Sequence, residues 1–209
     1  MAKGDLNNDD LVDIVIGGSK GQSAQIFLQS TNGQFNKRLT LDFENDKDSH
    51  DTDIQIFDAN NDGNQDIYIS SGGYHDYNPE DSLLQDRIYV GNGKGDFAKN
   101  TEALPKMYTN TGSVAIGDSN NDTYLDIFVG GRVVPGMYPE SPRSYILTND
   151  GKGNYTDQSD ILSPEIKQFG MVTDAIWADI NGDNFEDLLL VGEWTPIAIF
   201  INTNGRLKN

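Results

Sequence analysis

The stretch D-A-N-N-D-G-N-Q-D at 58–66, which runs straight into the apolar I-Y-I of 67–69, decides how this chain is read. Its pattern recurs in D-L-N-N-D-D-L-V-D at 5–13, D-S-N-N-D-T-Y-L-D at 118–126 and D-I-N-G-D-N-F-E-D at 179–187. Every copy has Asp at its first, fifth and ninth places and Asn at its third. Each leads into a strand-like run: Ile14–Ile16, Ile67–Ile69, Ile127–Val129 or Leu188–Val191. The copies start 53, 60 and 61 residues apart, so the chain is a repeat protein.

Three carboxylates and a carboxamide at alternate places supply hard oxygens to one point, and the seventh residue can add its backbone carbonyl, as in other calcium loops. The expected ligands are Asp5, Asn7, Asp9, Leu11 and Asp13 in the first loop, and Asp58, Asn60, Asp62, Asn64 and Asp66 in the second. In the third they are Asp118, Asn120, Asp122, Tyr124 and Asp126, and in the fourth Asp179, Asn181, Asp183, Phe185 and Asp187. About four Ca2+ ions follow. Magnesium prefers a small octahedral shell that keeps its waters, and transition metals would want the His or Cys these loops lack. A helical calcium loop needs a carboxylate at place twelve, where Ile16, Ile69, Val129 and Leu190 stand. An ion-free Asx-rich turn is the remaining alternative, but it would leave twelve carboxylates crowded into four tight loops.

The 209 residues suffice for a sizeable core, and their regular spacing argues for one continuous array. A net charge of −18 stays acidic even with four divalent ions bound, which disfavours nucleic acid and anionic membranes as partners. Cys is absent, so no disulfide framework exists. No apolar run approaches membrane-spanning length, and none precedes the first loop as a signal segment. Weak-affinity calcium modules are typical outside the cell. The expected location is therefore extracellular or at the cell surface, with periplasm or outer membrane as alternatives, and the chain is expected to be part of something longer.

After each loop strand a connection leads to a second strand: Gln25–Leu28, Arg87–Val90, Ser144–Leu147 and Ile197–Ile201. Asn-Gly turns follow at 31–35, 92–97, 149–155 and 203–207, and such turns join strands in hairpins because Asn and Gly accept positive φ. A further strand precedes each later loop: Asp53–Phe57, Ser113–Ile116 and Thr173–Ala178. Four short antiparallel strands about every 60 residues predict an all-β fold, a β-propeller, with repeats at approximately 5–51, 52–111, 112–172 and 173–209. A β-sandwich would not explain a periodic metal loop. Single-turn helices are expected near 102–107 and 160–168. Because the first repeat opens on its loop and the last stops where its outer strand should begin, the reading favours an open arc of about four blades from a larger propeller. Its uncovered sides should promote self-association.

These loops, with the D-I-Y-I and D-I-F-V-G-G strands and the G-x-F hairpins, resemble the FG-GAP/VCBS repeats of integrin-α-type propellers. The wording Q-D-R-I-Y-V-G-N-G-K-G-D-F, G-G-R-V-V-P-G-M-Y-P, G-M-V-T-D-A-I-W-A-D-I-N-G-D and L-L-L-V-G-E-W-T-P-I resembles the long secreted VCBS-repeat proteins of Bacteroidetes-type bacteria, relatives of cartilage acidic proteins. The resemblance implies a calcium-stiffened module acting in adhesion, glycan binding or protein contact. It also implies additional blades in a longer parent chain.

The calcium loops and hairpins fall on one rim, and the long aromatic connections 71–86 and 131–143 gather on the other. There, Tyr74, His75, Asp76 and Tyr77 read either as a sugar- or peptide-binding patch or as a solvated loop tip. Arg132, with Arg143 and Glu193, could bind an anion or bridge blades, and Tyr138 belongs to the same aromatic, Pro-rich connection. His50, Asp51 and Asp53 read as an acid–base cluster or, more commonly, as turn and strand-entry residues. Trp177 and Trp194 are expected in inter-blade core. No nucleophile elbow, zinc motif or phosphate loop is present. A non-catalytic binding module is therefore the main reading, with part of a polysaccharide-degrading enzyme (glycosidase or lyase) and a structural spacer as alternatives.

Overall fold

The computed structural model describes residues 1–74 and 77–209. It is all-β, built from four four-stranded antiparallel sheets, each with its strands in chain order. Blade one holds β1 (Ala2–Gly4), β2 (Asp13–Ile16), β3 (Gln25–Gln29) and β4 (Phe35–Arg38). Blade two holds β5 (His50–Phe57), β6 (Asp66–Gly72), β7 (Arg87–Gly91) and β8 (Phe97–Lys99). Blade three holds β9 (Thr111–Gly117), β10 (Asp126–Gly131), β11 (Tyr145–Asn149) and β12 (Tyr155–Asp157). Blade four holds β13 (Met171–Ala178), β14 (Asp187–Glu193), β15 (Ala198–Thr203) and β16 (Arg206–Lys208). The first strands pack in series, β1 on β5, β5 on β9 and β9 on β13, and β13 does not pack back onto β1. The propeller is an open arc.

Two strands correct the expectation drawn from the sequence. Blade one does have an inner strand, because Ala2–Gly4 pairs with Asp13–Val15. Blade four does have an outer one, because Arg206–Lys208 folds back on Ile201–Thr203 through Asn204 and Gly205, both at positive φ. Three residues are too few to display an alternation. Of the expected helical turns, 160–168 holds α2 (Ser159–Leu162) and a 3-10 turn at Pro164–Gln168. The segment 102–107 forms no helix; it turns so that Ala103 and Met107 enter the core. A turn that was not expected, α1 (Leu41–Asn45), puts the ring of Phe43 edge-on to Tyr89 at 4.6 Å. No helix among the described residues is long and apolar enough to cross a membrane.

The core lies between blades, and its three interfaces repeat one arrangement. Val15 and Ile26 of blade one pack on Ile67, Ile69, Tyr89 and Phe97 of blade two. Tyr68 and Ile88 of blade two pack on Ile127, Val129, Leu147 and Tyr155 of blade three. Phe128 and Ile146 of blade three pack on Leu188, Leu190, Phe200 and Leu207 of blade four. The strand register places these residues at equivalent positions in every blade. Alternation is what allows it: each strand sends one set of side chains forward and the next set back. Each fully buried side chain of this kind stabilises by about 1.5–3 kcal/mol, so the interfaces hold the arc together.

Each nine-residue loop also bends through two left-handed residues, at its fourth and sixth places: Asn8 and Asp10, Asn61 and Gly63, Asn121 and Thr123, Gly182 and Asn184. Seven of these eight residues are Asn, Asp or Gly; Thr123, at φ 73°, is β-branched and strained. Thr123→Asn, which copies the fourth loop, is expected to stabilise the protein by about 1 kcal/mol, read as a shifted urea midpoint at unchanged slope.

Candidate functional site

Two rims carry the candidate chemistry. On the first, each loop is folded around its own carboxylates. The first-place Asp accepts backbone N–H groups from across the loop: Asp58 from Asp62 (3.2 Å) and Gly63 (2.8 Å), Asp118 from Asp122 (3.1 Å) and Thr123 (2.8 Å). Burial alone would raise the Asp5 carboxyl, but the N–H groups of Asp10, Asp9, Asn7 and Asn8 outweigh it and hold it low. For Asp179 the N–H of Asn184 leads in the same direction. The fifth-place Asp accepts from the Asn side chain two residues before and the amide two residues after, as Asp122 does from Asn120 Nδ2 and Tyr124 N at 2.9 Å each. Leu11, Asn64, Tyr124 and Phe185 each donate a backbone N–H in this way.

The ninth-place Asp faces inward and is buried in all four loops. One oxygen accepts the N–H of the loop's second residue and the other an N–H at the end of the third strand. Asp13 takes Leu6 (2.9 Å) and Gln29 (2.8 Å), Asp66 takes Ala59 (3.0 Å) and Gly91 (2.8 Å). Asp126 takes Ser119 (3.1 Å) and Asn149 (2.8 Å), Asp187 takes Ile180 (3.1 Å) and Asn202 (2.7 Å). Burial raises the carboxyls of Asp66 and Asp126 to about 6, and the loop's other carboxylates push the same way.

Among the described residues no three carboxylate or His side chains are gathered closely enough to grip an ion as they stand. The donor set nevertheless suits calcium. Its side-chain oxygens are all hard, and even the most heavily bonded carboxylates, such as Asp5 and Asp179 with three N–H partners each, keep a lone pair to offer. The Oδ1 of Asn7, a third-place oxygen, is buried without a hydrogen-bond partner. Its counterparts Asn60, Asn120 and Asn181 accept the N–H of Asp62, Asp122 and Asp183 instead.

On the opposite rim, Tyr74, Asn110, Arg132, Val133, Tyr138 and Glu193 line a cleft of about 520 Å³ that spans three blades. Arg132 Nη2 meets Glu193 Oε1 at 2.6 Å, tying blade three to blade four. Trp194 stands beside this pair, 81% exposed, and its Nε1 donates to the Tyr138 hydroxyl at 2.8 Å. That corrects the expectation of Trp194 as core. It sits at φ 59° just past β14, outside the strand alternation that carries Trp177 into the interface.

The structure thus brings Tyr74, Arg132 and Tyr138 together and separates Tyr77 from them. Tyr77 is buried, donates its hydroxyl to Asp48 O at 2.7 Å and meets the His50 ring edge-on at 5.6 Å. His75 and Asp76 lie outside the described residues. Asp51 pairs with Arg87 at 2.6 Å, both buried, and Arg143 pairs with Asp157 at 2.6 Å. The acid–base cluster does not form, because Asp53 is held between blades: its Oδ1 accepts Ile54 N and its Oδ2 accepts Val114 N, at 2.8 Å each. Sequence reasoning missed Asp86, fully buried and lifted by that burial to about 7, against the donors Tyr68 (2.6 Å), Ser71 N (2.7 Å) and Thr111. It stands in no repeat pattern: Ser144 holds the equivalent place in blade three.

Residues 5–69, from the first loop through the core of β6, match the FG-GAP-like repeat family model. A solved structure of the Dos1 propeller superposes with a TM-score of 0.52 at 10% identity, over 90% of this chain and 41% of that one. The likeness is one of fold, and this chain spans less than half of that structure's length. No curated protein matches the sequence.

The raised carboxyls give stability a pH dependence with a defined sign. Burial raises Asp66, Asp86 and Asp126 in the folded chain to about 6, 7 and 6 from the ordinary carboxyl value of 3.8. Between about pH 4 and 7 the folded chain therefore binds more protons than the unfolded one, and stability falls as pH rises. Asp5 and Asp179, held low, act only below that window. In a chelator, the urea midpoint should be higher near about pH 5 than above about pH 7, and Asp86→Asn should flatten the upper part of the curve.

Proposed function

We propose that this chain is a calcium-binding propeller module of a secreted or cell-surface protein, which holds a glycan or protein ligand in the cleft opposite its calcium loops. The cleft carries the reading. Its volume of about 520 Å³ falls within the range of ligand sites. Tyr138 and Trp194 offer exposed aromatic faces joined by a hydrogen bond, and Arg132 and Glu193 offer a planar donor fork and a carboxylate beside them. Apolar faces flanked by directional polar groups suit a sugar ring or a peptide side chain.

Calcium would be held by the first-, third-, fifth- and ninth-place oxygens and the seventh-place carbonyl of each loop, such as Asp5, Asn7, Asp9, Asp13 and Leu11 O. Bound there, it would neutralise the clustered carboxylates and fix the loop against the neighbouring hairpin. Support comes from the fourfold recurrence, the hard donor set and the partnerless Asn7 Oδ1. The FG-GAP-like match supports a non-catalytic module. The narrower kinship, to secreted VCBS-repeat proteins related to cartilage acidic proteins, rests on the strand and loop wording of the sequence alone.

Two measurements test the reading. Calorimetry should find about four calcium sites, with a raised melting temperature and about one site fewer in Asp122→Ala. Unchanged melting and no heat of binding would refute the metal. On glycan and protein arrays in calcium, a ligand should be retained by the native protein and weakened by about tenfold or more in Trp194→Ala, with folding intact. A ligand that binds both equally would place the site elsewhere.

A further inference from the structure

The cleft opposite the nine-residue loops contains a polar group with nothing bonded to it. Asn110, just before β9, lines the cleft and is only 4% exposed, yet its carboxamide has no hydrogen-bond partner among the described residues. A buried donor and acceptor left unpaired costs stability unless something in the cleft satisfies them. The space for this group is built in, since a β-carbon on Gly72 would stand 2.8 Å from Asn110 Oδ1. The backbone oxygen of Asn110 accepts Arg132 N at 2.7 Å, which holds the two residues side by side. The stem of Arg132 in turn lies over Gly112, where a β-carbon would come within 2.9 Å of its Cβ.

The rest of the cleft varies one position of the repeat. Gly72, Arg132 and Glu193 stand three residues past Ile69, Val129 and Leu190, which share one register place in blades two, three and four. Successive blades thus bring no side chain, a cation and an anion to the same spot. The Arg132–Glu193 ion pair occupies one nitrogen and one oxygen. The other N–H groups of Arg132 and the second oxygen of Glu193 have no partner among the described residues. The Tyr138 hydroxyl accepts Trp194 Nε1 and still has its own hydrogen to donate.

We infer that the ligand of this cleft is an uncharged glycan, with Asn110 the residue that selects it. The inference rests on the cleft being the ligand site and narrows that reading. A sugar hydroxyl donates and accepts at once, and neighbouring hydroxyls need donors set beside acceptors. The Asn110 carboxamide is such a pair, and the unused edges of Arg132 and Glu193 make a second. The indole of Trp194, 81% exposed, gives the C–H face of a pyranose ring a flat surface to stack on. An acidic glycan would have to displace Glu193 from Arg132 and approach a chain of net charge −18. A cationic peptide would have to displace Arg132 from Glu193. An uncharged sugar needs neither, because it bonds to the groups that the ion pair leaves free.

Titration calorimetry of the full chain in calcium tests this with three sets of probes: neutral oligosaccharides, uronic or sulfated oligosaccharides, and charged peptides. A neutral oligosaccharide should bind, and its affinity should fall by about tenfold or more in Asn110→Ala and in the isosteric Asn110→Asp. Its affinity should also change by less than about twofold between roughly 0.05 and 0.5 M NaCl, since no net charge is paired. The Asn110 side chain makes no bond within the chain, so both variants should keep the native circular dichroism melt. Neutral-sugar binding that both variants leave intact would overturn the role of Asn110. Binding of acidic sugars or peptides alone, lost in Trp194→Ala, would overturn the uncharged-glycan inference while leaving the cleft as the ligand site. No binding by any probe, or binding that Trp194→Ala leaves intact, would overturn the inference and the reading of the cleft together.

Discussion

Everything in this structure depends on a buried carboxylate that recurs four times: Asp13, Asp66, Asp126 and Asp187. Each is drawn into a site where water cannot solvate it, and each is tolerated because two backbone N–H groups reach its two oxygens. Hydrogen bonds to a charged group contribute about 1.5–3 kcal/mol apiece, and an unpartnered one would cost at least as much. One amide comes from the loop and the other from the third strand, so the same side chain fixes the bend of the loop and the start of the hairpin. The blade's inner and outer halves cannot be set independently.

That local constraint is passed from blade to blade by the hairpins. Asn149 stands at the end of β11, its own N–H on Asp126, and sends its side-chain amide to Ala59 O in the loop of blade two at 2.8 Å. Asn202 does the same from blade four to Ser119 O at 2.8 Å, and Gly95 N reaches Leu6 O from blade two to blade one at 3.2 Å. The first three loops are therefore clamped from within by their own Asp and from outside by the next hairpin. The apolar interface beneath is registered by the same contacts, since β11 and β15, which end at or beside these Asn residues, carry packing side chains such as Leu147 and Phe200. Stability should accordingly propagate between nearest neighbours rather than arise from one central core.

The period of the loops and the alternation of the strands were enough to read the propeller, its four blades and most strand positions, because both signals repeat and reinforce one another. What remained illegible was either short or unique. β1, β16 and α1 are three to five residues long and too brief to show a period. Trp194 could not be separated from Trp177 by residue type; only the positive φ past the end of β14 turns it outward. Asp86 gave no signal, since a single buried acid looks like any surface acid until Tyr68, Ser71 and Thr111 are seen around it. Of the loop-face residues singled out, Tyr74, Arg132 and Tyr138 meet in the cleft, whereas Tyr77 serves packing against His50. Spacing places a residue on a rim but does not decide whether its side chain points to solvent or to the next blade.

The division between rims explains how one strongly acidic chain can hold both a stable scaffold and a cleft lined by aromatic and charged side chains. Burial, with a smaller push from the neighbouring loop carboxylates, raises Asp66 and Asp126 to about 6, and the backbone amides offset it only in part. Because strands alternate direction, the charge of these loops is confined to the rim where the loops and hairpins meet. The opposite rim is built from connections with no repeated motif, so their length and composition can vary without disturbing the buried carboxylates. There the ion pair of Arg132 with Glu193 spans blades three and four, and the Trp194–Tyr138 hydrogen bond spans the same gap. A ligand seated on those residues would contact both blades at once, so its affinity would report on the inter-blade angle that the loops and hairpins fix from the other side.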